Sequence, residues 1–244
     1  MILFLTSSPC IYQHSPATLT EANGFLKRIR SKLPPNPKTL FVASSPAEKH
    51  HDRTEFYAGD MAGAFERAGI EMPGWQVLDD LTADRARELV AWSDFIILMG
   101  GHVPTQNAFF QHIGLKALLA GYPGVVMGIS AGTMNAAGTV YAQPEANGES
   151  KPSFRRFYSG LGLTGINVCP HYQEVIERNM TVDGIPIYPD LTAADSMGHT
   201  FHVFPDGTYL YQDEKECAIY GECLRYRDGI LEQLTQDGGR IDLK

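Results

Sequence analysis

The stretch of this 244-residue chain best suited to chemistry is Gly128-Ile129-Ser130-Ala131-Gly132. A serine with a glycine two positions to either side is the G-x-S-x-G pattern. In it a strand ends, the backbone turns sharply, and the hydroxyl is lifted clear at the mouth of a sheet. The preceding Gly124-Val125-Val126-Met127 reads as a buried strand and the small residues from Met134 to Gly138 as a tightly packed helix. A side chain at either glycine would crowd the turn and the helix behind it. A Gly/Ser-rich strand-to-helix loop has similar letters, but the apolar run before and the small residues after favour the elbow. The chemistry it suits is acyl transfer.

A serine hydroxyl is a weak nucleophile and needs a base within hydrogen-bond reach. Histidine is the usual choice because its unperturbed pKa lies near neutrality. Of the eight histidines, His14, His50 and His51 fall in early loops and His112 on a helix, whereas His171 follows Pro170 at the expected end of an inner strand. A carboxylate must then hold the imidazole tautomer. Downstream of the serine, Glu145, Glu149, Glu174, Asp183, Asp190 and Asp195 are all available, and residue type alone does not choose among them. An oxyanion needs backbone N–H donors. The N–H after the nucleophile, that of Ala131, is one, and Gly101, in the Gly100-Gly101 turn, is assigned the other.

The elements around these residues set the fold class. Short apolar runs without polar alternation, at Ile2–Leu5, Leu40–Ala43, Trp75–Leu78, Phe95–Met99 and the elbow strand, mark strands covered on both faces. Helical spacing appears between them: from about Thr20 (Ala22, Phe25, Leu26, Ile29), through Tyr57, Met61, Ala64, Phe65 and Ala68, over Ala83–Val90 and over Thr105–Leu119. The expectation is an α/β fold, a doubly wound, mostly parallel sheet flanked by helices. Ligands of such sheets bind at the carboxyl ends of strands. Three such ends are unusual here: Thr6-Ser7-Ser8-Pro9, Gly100-Gly101-His102 and Gly128-Ile129-Ser130.

Residues 10–19 read as loop and residues 142–160 as a polar surface excursion. Ile166–His171 reads as a strand and Tyr172–Met180 as a helix. From Thr200 the pattern becomes hairpin-like: Thr200–Phe204, the turn Pro205-Asp206-Gly207, Thr208–Tyr211, then Cys217–Tyr220 and Cys223–Tyr226. These C-terminal β-hairpins are expected to extend or cover the sheet edge, with no second core, in one domain spanning residues 1–244.

Composition excludes several classes. A net charge of −8 and only 20 Lys and Arg argue against a nucleic-acid binder. No stretch reaches membrane-spanning length, and the short apolar N-terminus argues against a signal peptide. Cys10, Cys169, Cys217 and Cys223 are scattered, with no C-x-x-C spacing, so neither a disulfide framework nor a zinc site is expected, and the compartment expected is the cytoplasm.

Taken together, three segments in this order carry a resemblance: Phe95–Gly101, the elbow, and Asn167-Val168-Cys169-Pro170-His171-Tyr172. Gly198-His199-Thr200-Phe201 and Pro205-Asp206-Gly207 add to it. The chain resembles the peptidase E (aspartyl dipeptidase) and cyanophycinase family of serine peptidases, which share the class I glutamine amidotransferase-like fold. The resemblance implies Ser130 as nucleophile, His171 as general base and Glu145, in the loop after the elbow, as the third member, with Glu149 next. Glutamine amidotransferases of this fold carry cysteine at the elbow, so serine argues against that activity. The chain departs from the family at His102, where many members have asparagine, and at Met197 and His199, where an acidic residue and asparagine are common.

The implied activity is hydrolysis of short peptides, dipeptides first and Asp-X among them, through an acyl-enzyme and without a cofactor or metal. His102, His199 and Arg155 are the residues expected to contact the small peptide substrate. The same triad would serve a serine esterase or amidase, and a binding protein without turnover would keep the same scaffold.

Overall fold

In the computed structural model, residues 1–11 and 16–243 are described; His14 lies outside them. An eight-stranded sheet runs in the spatial order Arg240–Asp242, Cys217–Tyr220, Tyr209–Gln212, Ile2–Thr6, Val125–Ile129, Phe95–Leu98, Thr39–Val42, Trp75–Leu78. From Ile2–Thr6 to Trp75–Leu78 every pairing is parallel; the three strands on the other side pair antiparallel.

The uninterrupted apolar runs have a simple cause. Along each strand, alternate residues enter opposite cores. Leu3, Leu5, Leu40, Val42, Ile96 and Leu98 point to one face, where they meet Leu89 and Phe110 of the helices Ala86–Trp92 and Val103–His112. Phe4, Phe41, Ile97 and Met127 point to the other, against Phe25 and Phe65 of the helices Phe25–Lys32 and His51–Arg67. Each fully buried side chain of this kind contributes roughly 1.5–3 kcal/mol. With both faces covered, apolar residues fill most positions of the inner strands, and the doubly wound arrangement follows.

Several elements differ from expectation. The first helix begins at Phe25, after a single 3₁₀ turn at Ala22–Gly24, and the helix expected over Thr105–Leu119 breaks at Gly114 (φ 64°) into Val103–His112 and Leu115–Leu118. Tyr57, assigned to the core face of its helix, is exposed. Cys10–Ile11 pairs with Thr18–Leu19 rather than forming loop only. Within the polar excursion Phe157–Ser159 pairs with Thr139–Tyr141.

The largest correction concerns the C-terminal third. Thr200–Val203 and Tyr209–Gln212 do not form a hairpin. The first joins Val168–Cys169, Cys223–Arg227 and Ile230–Thr235 in a separate four-stranded sheet, while the second lies beside Ile2–Thr6 in the large one. Pro205-Asp206-Gly207 is therefore a crossing from one sheet to the other. The small sheet has its own core, including Cys169, Val175, Tyr188, Phe201, Val203 and Tyr226. That core was not expected, because its aromatic residues are spread over four short segments with no long apolar run.

Candidate active site

Ser130 ends the strand Val125–Ile129 and precedes the short helix Ala131–Asn135. Its backbone is strained, with φ 50° and ψ −111°, a conformation costing on the order of 1–3 kcal/mol for a residue with a Cβ. The surroundings hold it there. Its N–H donates to Thr6 O (3.1 Å), the Thr133 hydroxyl donates to the same carbonyl (2.8 Å), and the Thr6 hydroxyl donates to Gly128 O (2.8 Å). The elbow glycines are needed for space. A Cβ on Gly128 would lie 2.8 Å from Thr133 Cα, and one on Gly132 would lie 2.7 Å from Leu98 Cβ and press on the Leu98 carbonyl. Overpacking of this kind costs about 1–3 kcal/mol. Gly132→Ala is expected to lower the urea midpoint accordingly and to reduce labelling of Ser130 by a serine-reactive probe; an unchanged midpoint would mean that the helix does not need this close approach.

The Gly100-Gly101 turn ends the adjacent strand. A Cβ on Gly101 would lie 2.7 Å from Ser44 Cβ, so only glycine fits. The turn is braced by Gln106, whose Nε2 donates to Met99 O (2.7 Å) and whose Oε1 accepts from Asn135 Nδ2 (3.1 Å) of the elbow helix. Among the described residues, the N–H groups of Gly101 and Ala131 have no acceptor.

His171 sits at the end of the small sheet's first strand in the left-handed region (φ 59°, ψ 33°), opening the helix Tyr172–Glu177. Its Nδ1 lies 2.9 Å from Asp206 Oδ1. Ser7 links the two: its hydroxyl donates to Asp206 Oδ1 (2.6 Å) and accepts from the His171 N–H (2.7 Å). Gln173 Oε1 accepts from the Asp206 N–H at 2.9 Å. Partial burial pushes the Asp206 carboxyl up, but the hydrogen bonds and charge of His171 together with Ser7 and Gln173 outweigh it and hold the group below its ordinary value. A carboxylate only accepts, so His171 Nδ1 carries the proton. In the neutral ring Nε2 is then the free base.

Strand register explains this meeting. Cys169 pairs with Val203 and Val168 with His202, in parallel, so His171 comes level with the residues just after Phe204. Thr6 pairs with Tyr209, so Ser7 comes level with the residues just before it. Asp206 lies at the intersection. It was not among the carboxylates weighed from sequence, because Pro-Asp-Gly between two strands reads as a hairpin turn. Ser7 did stand in an unusual strand end; nothing in its spacing tied it to His171.

Glu145, expected to orient His171, does not do so. Its own N–H donates to Glu149 Oε2 (2.9 Å), and no hydrogen bond joins its side chain to the imidazole. Glu149 is taken up by His102, whose Nε2 is 2.9 Å from Glu149 Oε1 while Nδ1 is 2.7 Å from the Thr105 hydroxyl. With both ring nitrogens engaged, His102 is not the free substrate contact expected. His199 stacks on Phe157 (centroids 4.1 Å apart), and exposed Arg155 lies over Tyr158 and donates to Phe157 O. Neither lines a cavity at the elbow.

Two cavities open at Ser130. The larger, about 470 Å³, is bounded by Phe41, Ile97, Met99, Ser44 and one face of the helix His51–Arg67 carrying Arg53, Thr54, Tyr57 and Asp60. The smaller, about 140 Å³, is bounded by Gln143, Glu145, Glu174, Val175 and Ile187. Gly101, Ser130 and His171 line both. Among the described residues no group of three or more His, Cys, Asp or Glu is placed to hold a metal ion, and no helix is long and apolar enough to cross a membrane.

The sequence model of Peptidase family S51 matches residues 3–219. In fold, the chain is similar to the crystal structure of a peptidase from an acI-B1 Actinobacterium, with a TM-score of 0.63 and 19% identity over 99% of this chain and 96% of that one. It is also similar to a candidate peptidase E from Listeria monocytogenes EGD-e, with a TM-score of 0.57 and 18% identity over 96% of this chain and 98% of that one. No curated protein matches it in sequence.

Proposed function

The chain belongs to peptidase family S51, with the class I glutamine amidotransferase-like fold, and on that premise we propose that Ser130, His171 and Asp206 form the triad of a serine peptidase acting on short peptides. The observation that carries the triad is the 2.9 Å contact between His171 Nδ1 and Asp206, with Nε2 left as the base at the cavity that Ser130 also lines.

The arrangement of these groups supports the following steps. Ser130 Oγ attacks the scissile carbonyl and its proton passes to His171 Nε2. Asp206 stabilises the imidazolium and fixes the ring. The N–H groups of Gly101 and Ala131, with no acceptor of their own, receive the oxyanion. His171 then gives its proton to the leaving amine, and an acyl-enzyme remains on Ser130. Water, deprotonated by the same imidazole, releases the acid and restores the hydroxyl. No step calls on a cofactor. With the free thiols of Cys10, Cys169, Cys217 and Cys223, we assign the protein to a reducing compartment, the cytoplasm.

A fluorophosphonate probe tests this reading. Intact-mass analysis is expected to show one adduct, mapped to Ser130 and absent after Ser130→Ala. A dipeptide panel that includes Asp-X peptides and matching esters then reads side-chain preference and separates amide from ester hydrolysis. A panel without turnover, together with an unlabelled Ser130, would overturn the peptidase assignment of this site.

A further inference from the structure

The two cavities meet at the three residues that do the chemistry, so the scissile bond lies at their junction. The acyl part of a substrate must occupy one chamber and the leaving part the other. Charge decides which. In the larger chamber, Asp60 Oδ1 lies 3.7 Å from Arg67 Nη2, so its charge already has a partner. In the smaller, Glu174 is bound to Arg178 at 2.9 Å. Removing these pairs leaves one cation facing the large chamber, Arg53, and one carboxylate facing the small one, Glu145. Among the described residues neither has an ion-pair partner.

Glu145 is well placed for a ligand. Desolvation by the chamber walls raises its pKa; the charge of His102 opposes this most, Glu149 adds to the rise and His171 opposes it least. It is an exposed carboxylate that lines the same chamber as the catalytic imidazole and is not hydrogen-bonded to it.

We infer that a substrate peptide lies across Ser130 with its α-ammonium group in the small chamber against Glu145 and a carboxylate in the large chamber against Arg53. This rests on the peptidase reading above. The small chamber then holds the N-terminal residue, which becomes the acyl group on Ser130, and the larger, apolar-walled chamber holds the residue that leaves. Free ends are what the site recognises, and cleavage falls at the first peptide bond. The carboxylate at Arg53 is the C-terminus of a dipeptide or an acidic side chain, two sources of one chemistry.

The test uses alanyl-phenylalanine in free, N-acetylated and C-amidated forms, with Ala-Asp against Ala-Asn as a side-chain arm. In the unmodified enzyme, acetylation is expected to lower kcat/KM by about 10- to 100-fold, the range for a hydrogen bond to a charged group. Glu145→Gln should show the same loss on the free peptide and no further penalty on acetylation. Arg53→Gln should cancel the penalty of amidation if it holds the C-terminus, or the preference for Ala-Asp over Ala-Asn if it holds a side chain. Each variant keeps the penalty belonging to the other. If Glu145→Gln loses equally on free and acetylated peptide, Glu145 belongs to the chemistry and the placement is wrong. If both variants keep every wild-type penalty, it is also wrong.

Calorimetry on Ser130→Ala separates this from the peptidase reading. Binding of free alanyl-phenylalanine that each block weakens supports the placement even without turnover. Absent binding, or binding indifferent to both blocks, overturns it.

Discussion

Replacing Ser130 with alanine lowers peptide hydrolysis by about 10⁶-fold, the scale seen when a triad serine is removed from a protease. The fold should survive, because the strained backbone at this position is held by main-chain and threonine contacts that alanine leaves in place. The Ser130 N–H still reaches Thr6 O, and Thr133 still caps the same carbonyl. Residual turnover of roughly 10³- to 10⁴-fold over water, from the oxyanion donors and binding alone, is expected. Steady-state kinetics on the best dipeptide, with the urea midpoint as control, give the result. An alanine variant with the same midpoint and near-normal kcat would remove Ser130 from the mechanism.

The second large effect separates the two carboxylates near His171. Asp206→Asn is expected to lower kcat by about 10⁴-fold, because an amide in place of the carboxylate favours the wrong imidazole tautomer and no longer stabilises the imidazolium. Glu145→Gln should cost no more than about 100-fold, and only on peptides with a free α-ammonium group. The reverse order would place Glu145 on the imidazole during turnover. Asp206 also has a stability signature. Its folded pKa is depressed, so its contribution is present above the ordinary carboxylate range and lost as pH falls through the folded value. The stability gap between wild type and Asp206→Asn should therefore be widest near neutrality and shrink as the pH falls below the ordinary carboxylate range. Urea titrations at several pH values measure it; a gap that widens in acid would contradict the depressed pKa.

The placement of Gly101, Ser130 and His171 around common cavities was legible in the residues. An elbow needs small residues at fixed offsets from the nucleophile, and Gly128 and Gly132 stand there for the same steric reason that the structure displays. Gly101 was legible because a backbone that must approach a ligand cannot carry a Cβ. His171 was legible from its position after a proline at a strand end. The substrate contacts were not. His102 and His199 were read from their departure from a family pattern and Arg155 from its charge, and each turns out to be engaged by neighbours: Glu149 and Thr105, Phe157, and the Phe157 carbonyl. Polar side chains find partners within the fold whenever one is in reach, and linear spacing does not show which.

By itself, the sequence determined the layered α/β architecture, since apolar runs covered on both faces permit little else, and it determined the sharp turn at Ser130, since the elbow is a local backbone requirement. Only the tertiary structure decided which carboxylate meets His171. Asp206 reaches His171 because two strand registers, Cys169 with Val203 and Thr6 with Tyr209, bring a crossing between two sheets level with the imidazole. Register is a property of paired strands, set by packing between segments far apart in the chain. A Pro-Asp-Gly turn has the same letters whether it closes a hairpin or joins two sheets.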